Sequence, residues 1–236
     1  MGKFSDFVLS LKEIVVVYIL QYIVILGSSY IYLSIDPKGD VTGFLTTMGY
    51  ILLILFDIIV AIYLYLRNKR KEKKVKVANY FPIVYLGIGM AVVLNMLIFL
   101  FNLNNEMADL NIYLAILSSG IIGPILEEIL FRYVFLNRLR NFFTTRNAIL
   151  LSSLVFALLH GDIITMIYAF IMGFIFAYVY VKYDNIKVSI MCHISANTIV
   201  IFLTSFNIWI LLLGLFGVWI SIYLILRDNK RKVLVS

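Results

Sequence analysis

Three sets of side chains in apolar surroundings have the types and spacing to do chemistry: Glu127-Glu128-x-x-x-Arg132, Phe156-x-x-x-His160 and His193-x-x-x-Asn197. The two carboxylates and the arginine lie inside an apolar run from Ile112 to Leu136. An ionisable group at that depth costs at least about 2.5 to 3.5 kcal/mol to insert, so three together need partners, water or a task. Each helical residue advances by about 100°, so Glu128 and Arg132 share a face and can pair, while Glu127 points elsewhere. Arg132 can then hold one carboxylate ionised while the other faces a cavity and handles a proton. The bland alternative is an ion pair that locks helix packing. One glutamate suits that reading; a second adds insertion cost and like-charge repulsion without a second base.

The chain has two histidines, and both fall within or at the end of apolar runs. A lone membrane histidine is more often a packing residue than a catalyst, but a pair beside two buried glutamates points to a shared site. Asn197 follows His193 by one turn on the same face, and Phe156 precedes His160 by one turn, a ring suited to walling a pocket. From the rise per residue, Glu127, His160, His193 and Asn197 lie roughly 8 to 20 Å inside the cytoplasmic ends of their spans, compatible with one cavity. Pro124 removes a helix hydrogen bond and is expected to bend its span, while Gly120 and Gly123 allow close helix approach. Cys192 diverges from His193 by about 100°, so packing is its expected role. Asp162 is read either as an acid orienting His160 or as an ordinary loop acid. Asp57, an isolated acid in the second run, is expected to be protonated or paired with a polar neighbour rather than part of the site.

These residues must be positioned by membrane-spanning helices. A 63% hydrophobic, 14% charged chain of 236 residues is far more apolar than the ~45 to 50% of a soluble domain. Runs of spanning length are Ile14 to Ile35, Phe44 to Leu66, Tyr80 to Phe101, Ile112 to Leu136, Ile163 to Val181, Val188 to Phe206 and Ile208 to Leu226, with a shorter one from Asn147 to His160. The expectation is a single all-α integral membrane domain over residues 1–236, a polytopic transmembrane helix bundle of about eight spans. Gly161-Asp162 is a tight link at which a helix break is expected. With the N-terminus inside, all of the 20 lysines and arginines except Lys38 and Arg132 fall on the cytoplasmic side, and Asp36, Asp40, Glu106, Asp109 and Asp162 fall opposite. Both termini are then cytoplasmic, and the basic stretch 67–77 is a cytoplasmic loop touching anionic headgroups. This sorting explains the net charge of +7 without nucleic acid. One cysteine permits no intramolecular disulfide. Gly214 and Gly217, three apart rather than four, are expected to pack loosely.

The three motifs, in this order on successive runs, resemble those of the type II CAAX prenyl endopeptidase and bacteriocin-processing family of intramembrane proteases, also called the ABI family. The resemblance covers about Ser118 to Val200, within an expected catalytic core of residues 112–206. It implies hydrolysis of a peptide bond in a membrane-associated peptide or protein. Glu127 would be the general base activating water together with His160, and His193 and Asn197 would stabilise the oxyanion. Glu128 and Arg132 would orient and tune. The family is also described as metalloproteases, and Glu127, His160 and His193 with water would make a three-ligand zinc site; the metal-free mechanism, with no cofactor, is preferred.

Composition and loops point to a multi-pass protein of a bacterial plasma membrane, and the resemblance implies a setting in bacteriocin immunity, peptide-signal maturation or envelope maintenance. Its partners would be a peptide or membrane-protein substrate and the lipid bilayer. The alternative is a non-catalytic membrane scaffold or regulator of a sensor kinase or envelope enzyme, against which the surplus glutamate argues. A coupled transporter ranks last, since no paired inverted repeats of broken helices are visible.

Overall fold

The computed structural model describes residues 2–69, 80–101, 103 and 111–233. From residue 70 onward the basic loop expected at 67–77 lies outside the described residues, as do Glu106 and Asp109. All regular structure among the described residues is helical, in eight helices. They are α1 (Gly2–Ile35), α2 (Val41–Arg67), α3 (Phe81–Leu100), α4 (Ile112–Leu139), α5 (Thr145–Leu158), α6 (Ile163–Tyr183), α7 (Ile186–Val200) and α8 (Ile208–Val233).

This is an all-α, multi-pass membrane protein. Six helices carry stretches long and apolar enough to cross a bilayer, while α5 and α7 have 14 and 15 residues. At 1.5 Å per residue those two reach roughly 21 to 23 Å, short of a ~30 Å hydrocarbon core. The seventh apolar run was expected to reach Phe206, but α7 stops at Val200. Polar Thr204, Ser205 and Asn207 interrupt it, and the Asn207 side chain accepts from the amides of Trp209 and Ile210 at the start of α8. Large apolar side chains such as Ile19, Leu26, Ile59, Leu213 and Trp219 are exposed along the long helices, which suits contact with lipid tails.

The chain forms two compact units. The first comprises Met1–Arg70 and Met107–Ala148, and so contains α1, α2 and α4. A short turn joins α1 to α2, where Asp40 caps α2 by accepting from the Gly43 amide and Tyr32 stacks on Phe44 at 4.4 Å. At the far end of this hairpin Glu13 bridges Arg138 at 2.8 Å and Arg67 at 3.4 Å, and Arg138 also donates to Asn68 Oδ1 at 2.9 Å. Glu13 within α1 therefore meets the ends of α2 and α4, at Arg67 and Arg138, on one side of the unit.

The second unit comprises Lys71–Glu106 and Ile149–Ser236, with α3 packed against α7 and α8. Its core joins Ile83, Met172, Phe176, Val188, Cys192 and Ala196. Glycine permits the close approach of α3 to α7, because a Cβ at Gly87 would collide with the Cys192 carbonyl oxygen and Ser195 Oγ. Ser195 Oγ fastens the seam by donating to the Val84 carbonyl at 3.1 Å and the Cys192 carbonyl at 2.8 Å. Gly214 corrects the expectation of loose packing: a Cβ there would sit 2.7 Å from Val92 Cγ1, so α8 lies tight against α3. Cys192 is fully buried in this core and forms no disulfide, the packing role expected of it.

Candidate active site

The acidic part of the candidate site belongs to the first unit and to α4, which carries two π-helical segments. Ile116–Ile122 is π-helical, Gly123–Glu128 is α-helical and Ile129–Leu136 is π-helical again. Pro124 stands at the start of the α-helical segment. Its missing amide falls where the register is already changing, so the proline marks a change of register between wide and regular turns. All eight residues of the second π segment are buried.

Glu128 and Arg132 are wholly enclosed, and Arg132 Nε lies 3.4 Å from Glu128 Oε2. This is the pair expected from their spacing. Glu127, adjacent in sequence, is only half-buried. The two acids therefore differ in accessibility as well as direction: one is enclosed beside a guanidinium, and the other is only partly covered.

Asp57 extends this acidic region. It is 9% exposed, and its Oδ1 accepts from Gln21 Nε2 at 2.8 Å, a bond between α2 and α1. Of the expectations for Asp57, pairing with a polar neighbour is what the structure shows. The charge of Glu127 acts on both Asp57 and Tyr18, so three helices contribute polar groups here. Gln21, a lone amide within the first apolar run, was the available signal, but no spacing rule links it to Asp57.

The histidines belong to the second unit. The helix α5 ends at Leu158, and His160 follows in a turn closed by its own amide donating to the Ala157 carbonyl at 2.9 Å. His160 Nδ1 lies 2.8 Å from the Phe156 carbonyl oxygen. A carbonyl can only accept, so Nδ1 carries a proton, and the tautomer compatible with this bond has Nε2 as its acceptor. The Phe156 ring packs on the His160 ring at 4.5 Å and meets His193 edge-on at 5.9 Å. His193, 3% exposed, also stacks on Phe176 at 4.2 Å. Phe156 thus gathers both histidines into one aromatic cluster. Asn197 follows His193 by one turn of the regular helix α7 and is half-buried.

The break between α5 and α6 lies where it was expected. Gly161 has φ +32, a left-handed conformation that glycine adopts without strain, and Asp162 is extended. Asp162 Oδ1 accepts from the Ile164 and Thr165 amides at 2.9 and 3.2 Å, and Oδ2 accepts from Thr165 Oγ1 at 2.7 Å. Both oxygens cap α6, so Asp162 fits the loop-acid reading. These bonds, the Thr165 hydroxyl first, hold its carboxyl below the usual carboxylate range.

Glu127, Glu128 and Arg132 lie in the first unit, and His160, His193 and Asn197 in the second. Among the described residues of either unit, no three His, Cys, Asp or Glu side chains come together as a metal-binding set. The zinc alternative has no complete donor set within a unit.

Residues 109–199 match the family described as Type II CAAX prenyl endopeptidase Rce1-like. A curated relative, "Putative membrane peptidase YdiL" of Bacillus subtilis (strain 168), is 41% identical over 91 residues. That match covers 37% of this chain and 36% of the relative, so the chain spans about a third of the relative's length. No solved structure matches the chain. The matched stretch contains Glu127, Glu128, Arg132, His160, His193 and Asn197, and over residues 109–199 the chain therefore carries the sequence pattern of the type II CAAX prenyl endopeptidases.

Proposed function

We propose that the protein is an intramembrane peptide hydrolase of the CAAX-protease type, cleaving a peptide bond in a membrane-associated peptide or protein. The observation that carries this reading is the division between adjacent acids inside a matched segment: Glu128 is enclosed against Arg132, while Glu127 is half-buried. An ion pair kept only for packing has no use for the second carboxylate.

In the proposed reaction Glu127, assisted by His160 Nε2, takes a proton from water as the oxygen attacks the scissile carbonyl carbon. His193 and Asn197 donate to the oxyanion from one face of α7, and the proton held by the base passes to the leaving amine as the bond breaks. The Glu128–Arg132 pair keeps α4 fixed. The pairing of the Phe156 carbonyl with His160 Nδ1 supports the tautomer this step needs. The proposed location is a bacterial plasma membrane, and the proposed settings are bacteriocin immunity, peptide-signal maturation or envelope maintenance. The bacterial relative named as a membrane peptidase supports this reading.

The test compares membrane peptides by mass spectrometry between cells carrying the native chain and cells carrying Glu127→Gln, with equal protein accumulation verified. Peptides cleaved only with the native chain are expected. Identical cleavage products with Glu127→Gln would sink the catalytic assignment.

A further inference from the structure

The first unit also carries a concave feature whose lining includes neither Glu127 nor Glu128. Just past the end of α2 and around the last turns of α4 lies a cavity of about 510 Å³. Asn68, Asn137, Arg138, Arg140, Asn141 and Thr145 supply most of its lining. Small-molecule pockets of this size are usually lined mainly by apolar groups; this one offers amides, a hydroxyl and two guanidinium groups.

Two observations give it the character of a binding site. Arg138 is pre-positioned, since Glu13 engages it at 2.8 Å and Asn68 Oδ1 accepts from its Nη2 at 2.9 Å. Asn68 is fixed in turn, donating through Nδ2 to the Leu64 carbonyl at 2.9 Å. The second observation is charge. Glu13 is shared between Arg138 and Arg67, so one carboxylate meets two guanidinium groups, and the exposed Arg140 adds a further positive charge on the cavity wall. The cluster keeps an excess of positive charge beside neutral hydrogen-bond donors.

Arginines at a helix end also complement the helix dipole and mark one side of a membrane. Those roles explain the charge but not an arginine locked by two partners at the wall of a polar cavity. The position specifies the occupant. The candidate spans Val41–Arg67 and Ile112–Leu139 both end here, so the cavity opens where hydrocarbon gives way to headgroups. A ligand whose charged part occupies a polar pocket while its apolar part stays in the bilayer is a phospholipid.

We infer that this cavity binds the phosphate-bearing headgroup of an anionic phospholipid, with Arg138 and Arg140 as its charge partners. The inference is independent of the proposed hydrolase activity. It is tested by native mass spectrometry of the full chain released from micelles containing equal amounts of phosphatidylglycerol and phosphatidylcholine. Preferential retention of phosphatidylglycerol is expected. Arg140→Gln should lower it about fivefold, the effect of one basic residue near a charged membrane surface. Asn141→Ala, which removes no charge, should also lower it, whereas Arg227→Gln, an exposed arginine on α8 in the second unit, should leave it unchanged. Equal retention of the two lipids would overturn the inference, as would an Arg227→Gln effect as large as that of Arg140→Gln. Complete displacement of the lipid by millimolar inorganic phosphate would also overturn it, assigning the pocket to a free anion.

Discussion

Breaking the Glu128–Arg132 pair should destabilise the protein far more than removing it whole. Both side chains are 0% exposed, and Nε lies 3.4 Å from Oε2. At an effective dielectric of about 20, unit charges at that separation attract by about 5 kcal/mol. Removing one partner of a buried pair typically costs about 3 to 5 kcal/mol, because the remaining charge stays buried. The contact is longer than the ~2.7 to 2.9 Å of a short charge-assisted hydrogen bond, which places the expected loss for Arg132→Met near about 3 kcal/mol. Glu128→Gln should lose a similar amount by removing the carboxylate that lies 3.4 Å from the guanidinium. The double substitution removes both charges and should recover at least about 2 kcal/mol relative to the sum of the single losses. The assay is reversible unfolding in mixed micelles followed by helical circular dichroism, arranged as a double-mutant cycle. Additive losses, or an Arg132→Met loss under about 1 kcal/mol, would refute the claim that this pair is a desolvated, mutually dependent unit.

Two further outcomes test the second unit. Asp162 has a folded-state carboxyl held below its ordinary value by the Thr165 hydroxyl and the α6 amides. Its charge therefore contributes stability that is present above the ordinary carboxylate range and is lost as pH falls through the depressed value; the thermal-midpoint advantage of the native chain over Asp162→Asn should shrink across that acidic window, and a constant difference would contradict it. Gly87→Ala should lower the thermal midpoint, because its Cβ meets the Cys192 backbone carbonyl as well as Ser195 Oγ. Overpacking of this kind costs about 1 to 3 kcal/mol, and an unchanged midpoint would show that α3 and α7 are not in the contact described.

What could be read from sequence depended on whether a feature lies within one helix. Glu128 and Arg132, and Phe156 and His160, are one turn apart, so helical geometry alone foretold their proximity, and the observed 3.4 Å and 4.5 Å contacts agree. The stack of His193 on Phe176 joins α7 to α6, and the bond of Gln21 to Asp57 joins α1 to α2. No spacing rule reaches across helices, so these partners were invisible. Hydropathy located every helix but overran the end of α7, because Phe202, Leu203 and Phe206 extend the apolar run beyond the last helical turn. The close packing of Gly214 was missed for a related reason: a glycine's neighbour is set by the opposing helix, here Val92 of α3.

The register of α4 was the feature furthest from legible, and it bears most directly on the proposed chemistry. Nothing in Ile129–Leu136 distinguishes π from α by composition, and π-helical hydrogen bonding is rarely favoured by itself. Tertiary contacts offset that cost, since all eight residues of the segment are buried. Arg132 lies within this segment and Glu128 closes the α-helical one before it, so their ion pair spans the change in register. The same change separates the turn bearing Glu127 from the enclosed arginine. Helical phase turns Glu127 and Glu128 to different sides within one α-helical segment, and the packing of the following π segment encloses Arg132 on the side of Glu128.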